Sequence, residues 1–495
     1  MEEMTLPISE QMFWGIAFSG GFAALTLLIF AILSPPANRT TSPLEKIMHG
    51  LGLEKLNPGV FLLLATLWLG IFLLLTSGLF GLIWDVIWHE IPNRKKQTEI
   101  WDWRFKLVQL TALTTVLGAV VILPVTLQRL RLNKEQTETA TAGLFNEKIA
   151  EAAADLHAQR QISKKTGTRS WETLWEEDIV RRNAAIDRLE GLVREEPREA
   201  TRVSRLLSVY VRELSKIHTA PESPETDDID RIKAWVGSLT IERSDMEFAV
   251  QVLGRLQSIE NVQTKNLEID LRKANLGAME LTQLNFENGI FRDASLQGVD
   301  FGGANLRGIN LGGANLQEAI MWDTDLRNAY LGGAKLRGAI LREANLKETY
   351  LEGADLQRVY LGRADLEGAI AWGADFREAT LWDATLLRAN LEGANLISAN
   401  LREARLTGAN LSSAVVDGTT NLIDACFKGA SFKFVDLTMV PKIEEHLNDI
   451  FGDGSTLLPN DIARPRHWPR EELDLSTYHS KWRAFAASKG VDIPD

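Results

Sequence analysis

The sequence predicts membrane α plus β-solenoid: N-terminal transmembrane helices, a helical stalk, a four-sided β-helix and a C-terminal cap. Three observations carry this prediction. Three long apolar runs without a charge precede residue 128, a five-residue repeat of Leu begins at Leu271, and the stretch between is polar with amphipathic stripes.

The apolar runs are 12–33, 59–84 and 107–127, and each is long enough to cross a bilayer as a helix. Buried core helices are usually shorter or show a polar stripe. Only Glu2, Glu3 and Glu10 are charged ahead of the first run, so the basic leader of a secretory signal is missing. Trp14, Trp84, Trp88, Trp101 and Trp103 sit at or near the run ends, where indoles favour the headgroup level. Residues 1–128 are therefore expected to form a transmembrane domain of three helices.

Orientation follows from Lys and Arg. Arg39, Lys46 and Lys55 fall in the first loop and Arg129, Arg131, Lys134 and Lys148 after the third run; Arg94, Lys95, Lys96, Arg104 and Lys106 oppose them. The excess favours a cytoplasmic C-terminal part. No charge lies mid-span, which favours an anchor over a transporter.

Residues 129–265 read as a cytoplasmic helical region acting as spacer or oligomer seam. Phe145, Ile149, Ala152 and Leu156 form one helical face, and Val203, Leu206, Leu207, Tyr210, Val211 and Leu214 another. Ser244 and Glu247 are spaced as a capping box opening a further helix. Residues 219–230, rich in Pro, Asp and Glu, read as a linker.

From Leu271 to Val416 every fifth residue is apolar: of 30 positions 23 are Leu and 4 are Phe, and the residue two earlier is Ala in 21. Residues two apart in extended chain face the same side, so each unit turns a Leu and an Ala inward and uses the rest for a corner. Four corners close a coil of about 20 residues, with coils about 4.8 Å apart. Gly302, Gly303, Gly312, Gly313, Gly332 and Gly333 suit the turns. The register slips once, in Asp417-Gly418-Thr419-Thr420-Asn421, and resumes at Leu422. The solenoid is expected over 266–440. Residues 441–495 should cap its open end, with Ile443, Leu447, Ile450 and Phe451 as one helical face closed by Gly452.

Units such as Ala389-Asn390-Leu391-Glu392-Gly393 and Ala354-Asp355-Leu356-Gln357-Arg358 resemble the A(D/N)LXX pattern of the pentapeptide-repeat family, over about a third of the chain. The resemblance implies a right-handed quadrilateral β-helix. The membrane-plus-helical front resembles bacterial pentapeptide-repeat membrane proteins, and residues 180–190 are similar to the helix those proteins place between membrane and repeats. This implies a bacterial inner-membrane location.

Chemistry is sparse. The formal net charge of −12 argues against a nucleic-acid binder driven by phosphate contacts. The lone Cys426 excludes a disulfide framework, and the seven histidines are scattered, without metal-ligand spacing. Asp and Asn at 305, 315, 325, 345, 355, 365 and 375 occupy one fixed repeat position, where short polar side chains bond turn backbone more often than they ligate or catalyse. No catalytic, metal or cofactor-binding residue is expected, and no small-molecule substrate.

The residue before each inward Leu alternates between apolar and polar from 320 to 370, a period of ten. In a four-sided coil this puts Tyr330, Tyr350 and Ile370 on one face beside Trp372. It puts Ile320, Ile340 and Tyr360 on the opposite face, beside Trp322 and Trp382. Such strips resemble interface cores, although Ile and Tyr are also good strand formers on a solvated sheet. The expected function is a membrane-anchored scaffold binding a protein partner or a second copy. The alternative implied by the family is a DNA-mimic regulator of an enzyme such as gyrase. Residues 266–440 hold 23 acidic and 17 basic residues, a thin excess for duplex mimicry.

Overall fold

The computed structural model describes residues 43–51, 53, 56–88, 97–165, 171–220, 229–241, 243–263, 265 and 267–493. The expected span 12–33, the cluster Arg94-Lys95-Lys96 and most of the linker 219–230 lie outside the described residues. The chain divides into two compact units, Met1–Asn146 and Glu147–Asp495.

The first unit holds α1 (Pro43–Leu51), α2 (Pro58–Trp88) and the greater part of α3 (Gln97–Asp155), which ends within the second. Two segments, Pro58–Trp88 and Ile100–Asp155, contain stretches long and apolar enough to cross a membrane. Leu73, Leu74, Phe80 and Trp84 leave their apolar surface exposed on α2. The two helices meet where Trp68 Nε1 donates to the Val120 carbonyl at 3.1 Å, and Lys106 pairs with Asp85. α3 continues through polar sequence with Pro124 inside it, so the expected run 107–127 is the front of a much longer helix.

The second unit opens with a feature the helical reading of 129–265 does not contain. β1 (Gln159–Lys165) pairs antiparallel with β2 (Trp171–Glu177), opposing Ile162 to Leu174. The alternation that makes this hairpin is obscured in the sequence by charged neighbours on both strands. Then come α4 (Ile179–Glu195), α5 (Ala200–Ile217), α6 (Ile229–Gly237) and α7 (Ser244–Leu256). Ile186, Leu189 and Val193 of α4, Val203, Leu207 and Val211 of α5, and Ala249, Val250 and Leu253 of α7 are buried, so these helices share a core. The expected capping box is not made: Arg243 holds the N-cap position, without a side-chain cap bond. The Glu247 carboxylate instead accepts the Glu280 N–H of the first solenoid coil. This bundle is a lid on the solenoid rather than a free stalk.

The solenoid is built of parallel single-residue bridges 20 residues apart, from Asp270↔Ile290 to Asn395↔Val415. Four five-residue units therefore complete each coil. Nearly every unit closes a turn from the N–H of the residue at the inward Ala position to the carbonyl of the preceding inward residue, for example Ala334 to Leu331 at 3.0 Å. The residue two past the inward position has positive φ throughout, from Lys273 to Ser413, as a type II turn requires. The inward Leu, Phe and Ala side chains are buried. Where Thr324 and Thr349 replace the inward Ala, their hydroxyls donate to Phe301 and Leu326 carbonyls at 3.0 and 2.9 Å, which removes the cost of burying them.

At the C-terminal end the register slips twice, not once. Bridges from Asn400↔Asn421 span 21 residues, and Asp436↔Leu457 spans 21 again after Ser431↔Phe451 spans 20. Both extra residues sit in the same short sequence, Asp417-Gly418-Thr419-Thr420 and Asp453-Gly454-Ser455-Thr456. In each, the last Thr hydroxyl donates inward, Thr420 to Leu396 O at 3.0 Å and Thr456 to Phe432 O at 2.8 Å. The expected helical face at 443–451 is a correction: Ile443–Glu445 is one 3₁₀ turn, and β4 (Ile450–Phe451) pairs parallel with β3 (Ala430–Ser431). The coil thus outlasts the regular repeat, because Ile443, Leu447, Ile450 and Phe451 still fill its interior. The helix over this end is α8 (Leu475–Ser488), whose N-terminus is capped by Asp474. Trp482 Nε1 donates to the Gly429 carbonyl at 2.8 Å, and Tyr478 is wholly buried.

Candidate interaction surface

The Asx residues of the repeat are committed to turn geometry. Their Oδ1 accepts the N–H two residues on, as Asp325 does from Arg327 at 3.2 Å and Asn345 from Lys347 at 3.3 Å. Among the described residues no group of His, Cys, Asp and Glu could hold a metal ion. What the solenoid offers is its flanks.

The bridges put Tyr330, Tyr350 and Ile370 in one column and Ile320, Ile340 and Tyr360 in another. Tyr330, Ile340, Tyr350, Tyr360, Trp322 and Trp372 are exposed; Ile320, Ile370 and Trp382 are half-buried. The rings of Tyr330 and Tyr350 lie 6.4 Å apart. Trp382 is covered on one side by the Arg363 guanidinium, 4.8 Å from its ring centre.

Glycine explains how such large rings lie on a flat sheet. Gly303, Gly313 and Gly333 have positive φ and serve the turns. Gly302, Gly312 and Gly332, read from the sequence as turn glycines too, have no such φ. They are beds for rings. A Cβ at Gly302 would lie 2.6 Å from Trp322 Nε1, one at Gly312 2.7 Å from Tyr330 Cε1, and one at Gly332 2.8 Å from the Tyr330 hydroxyl.

The two remaining faces are polar, and their charges pair between coils. Lys347 meets Asp365 at 3.1 Å and Glu367 at 2.9 Å, Arg337 meets Asp355 at 3.2 Å, and Arg358 meets Glu378 at 2.9 Å. The Lys347 ammonium holds the Glu367 carboxyl below the usual carboxylate range.

A family profile described as pentapeptide repeats matches residues 269–308, 304–343, 344–383 and 374–412. A pentapeptide repeat protein from the Arabidopsis thaliana thylakoid lumen is 30% identical, over 22% of this chain and 74% of that one, with a TM-score of 0.18. The chain belongs to the pentapeptide-repeat family. Other solved pentapeptide-repeat structures match it too. HetL, involved in heterocyst differentiation regulation in the cyanobacterium Nostoc, is 29% identical over 39% of this chain and 86% of its own, with a TM-score of 0.33. A second Nostoc protein is 30% identical over 25% and 84%, with a TM-score of 0.19. No curated protein matches. The repeats imply the family's right-handed β-helix, and the 20-residue bridge interval is the coil of this pentapeptide-repeat protein.

Proposed function

We propose that this pentapeptide-repeat protein is a membrane-anchored scaffold that presents the flanks of its solenoid to a protein partner or to a second copy. The observation that carries this reading is the pair of exposed columns, Tyr330 and Tyr350 beside Trp372, and Ile340 and Tyr360 beside Trp322, with the half-buried Trp382 at the edge of the second. Helices close one end of the coil and the tail closes the other, so partners meet its sides. Two long apolar helices supply the anchor. The proposed location is a bacterial inner membrane with the C-terminal unit in the cytoplasm. Pairing of the solenoid's charges tells against duplex mimicry, which needs a dense one-sign surface. No catalysis, cofactor or small-molecule substrate is part of this reading.

The test is a pair of double variants in the detergent-extracted protein. Tyr350→Ser with Trp372→Ser, and Tyr360→Ser with Trp382→Ser, leave the core intact because these side chains point outward. At least one pair should abolish co-purification of the partner or self-association while the coil stays folded; if both retain wild-type association, the scaffold surface lies elsewhere. Protease added to intact spheroplasts should spare the repeats, and digestion there would reverse the topology.

A further inference from the structure

The two aromatic strips differ in their surroundings, and the difference names an occupant for one. Around Trp322, Ile340, Tyr360 and Trp382 most of the charges are already paired, Asp323 beside Trp322 being the exception. Arg342 pairs with Glu343 at 3.1 Å, Arg402 with Glu403 at 3.0 Å, and Arg363 with Asp383 at 3.5 Å while also covering Trp382. The strip of Tyr330, Tyr350 and Trp372 is the reverse. Among the described residues no cation stands over any of its three rings. Glu348 and Glu352 flank Tyr350 along the same stretch of chain, and neither carboxylate has a partner among the described residues. Glu352 Oε2 is shielded from solvent with no hydrogen bond.

The corner beyond this face is bare. Gly313, Gly333, Gly353, Gly373 and Gly393 stack there in five successive coils, with φ of 61° to 66°. Backbone conformation does not demand glycine, since Glu343, Arg363, Asp383 and Glu403 hold the same turn position in another corner at φ of 54° to 61°. Internal packing does not demand it either: a Cβ at Gly333, Gly353 or Gly373 would meet nothing within 4 Å. The ridge of exposed backbone is about 19 Å long, four rises of about 4.8 Å.

We infer that this face and its glycine ridge dock a segment of a partner protein that carries Arg or Lys. The segment lies along the solenoid axis, its backbone against the ridge. Its cations sit over the Tyr330, Tyr350 and Trp372 rings and within reach of Glu348 and Glu352, so each unpaired carboxylate and each uncovered ring gains a counterpart. A second copy fits this face poorly. A two-fold axis through Tyr350 would set Glu348 and Glu352 close to their own images, and like charges so placed repel. The inference rests on the scaffold reading above and sharpens one of its two surfaces.

The experiment measures fluorescence anisotropy of labelled octapeptides, alternating Ala-Arg, Ala-Glu or Ala-Ser, with the full chain in detergent at physiological salt. The Ala-Arg peptide should bind selectively. Glu348→Gln with Glu352→Gln should weaken it about tenfold, whereas Glu343→Gln with Glu403→Gln, the same loss of charge elsewhere, should leave it nearly unchanged. Gly333→Gln with Gly373→Gln should weaken it similarly without unfolding the coil, because Gln283 adopts the same turn at φ 58°. Equal weakening by both carboxylate pairs, or no preference for Ala-Arg over Ala-Ser, overturns the inference. A sedimenting dimer that the two glycine substitutions dissociate overturns it in favour of a second copy. If the Ala-Arg peptide never binds yet Tyr350→Ser with Trp372→Ser still loses association, the cationic chemistry fails and the scaffold reading stands.

Discussion

Glu247 of α7 accepts the backbone N–H of Glu280 at 2.9 Å, joining the helical bundle to the open edge of the first coil. Three companions complete the set. Ser208 Oγ accepts from Asp270 N at 3.3 Å, Ser215 Oγ from Asn275 N at 3.0 Å, and the Gly254 carbonyl from Asn285 N at 3.2 Å. Residues 270, 275, 280 and 285 are the bridging residues of the four sides, and in the regular coils that follow the equivalent N–H is taken by the coil before, as Ile290 N is by Ile269 O at 2.8 Å. The bundle therefore substitutes for a missing coil, one acceptor per side, and blocks the edge pairing that an open ladder invites.

Replacing Ser215 and Glu247 together by Ala should destabilise the second unit by about 1–3 kcal/mol, since the part-buried Asn275 N–H and the exposed Glu280 N–H each lose their acceptor. Urea unfolding followed by circular dichroism measures this. Unchanged stability would mean water satisfies both groups and the helices only shield the end.

The repeat was legible because every unit restates one constraint, inward Leu and Ala with a turn between, so errors at single positions such as Ala371 do not hide it. The aromatic columns were legible for the same reason, since a period of ten in a coil of 20 must alternate faces. Features that occur once were not. Ser208 and Ser215 are two helical turns apart on one face of α5, a hint of an edge cap, yet a lone pair of serines specifies nothing until the coil they serve is placed. The second slip was visible only as Asp453-Gly454-Ser455-Thr456 echoing Asp417-Gly418-Thr419-Thr420. The role of Gly302, Gly312 and Gly332 was hidden because glycine beneath a ring and glycine in a turn are the same letter.

Those two kinds of glycine should respond differently to Ala. At Gly353, with φ 61° and open space beyond, Ala should cost only about 1 kcal/mol from the backbone conformation. At Gly302 the added methyl would meet the Trp322 indole at 2.6 Å and lift the ring from the sheet. Intrinsic fluorescence should register ring displacement in Gly302→Ala, whereas Gly353→Ala should leave emission as in wild type. Identical spectra for all three proteins would refute the ring-bed assignment.

Ala371 occupies an inward position where the coils above and below carry Leu351 and Leu391. Leu351→Ala or Leu391→Ala should cost about 2–5 kcal/mol through lost burial and a cavity. Ala371→Leu should be tolerated or stabilising, because the site is smaller than its neighbours. A large drop in thermal midpoint for Ala371→Leu would show that surrounding side chains already fill the space.

Lys433 and Asp453 form a buried ion pair at 2.8 Å, both side chains almost fully withdrawn from solvent beneath α8. Burial pushes the Asp453 carboxyl up, but the Lys433 ammonium, the Ser455 hydroxyl and the Leu473 N–H at 2.9 Å outweigh it and hold the group below its ordinary value of 3.8. The Lys433 ammonium also donates to the Leu473 carbonyl at 2.7 Å, so one pair ties the last slipped turn to the tail. A carboxyl depressed in the folded state contributes its full stability above the unfolded value near 3.8 and loses it as pH falls through the lower folded value. Urea midpoints read from tail fluorescence, where Trp468 and Trp482 are buried, should therefore fall more steeply below pH ~4 in wild type than in Asp453→Asn, which lacks this titration. Lys433→Met should cost about 3–5 kcal/mol at neutral pH by stranding the carboxylate, and that cost should shrink in acid as Asp453 takes up a proton. If wild type and Asp453→Asn lose stability with the same slope in acid, and the Lys433→Met deficit stays constant with pH, the pair does not hold the tail and other contacts of α8 do.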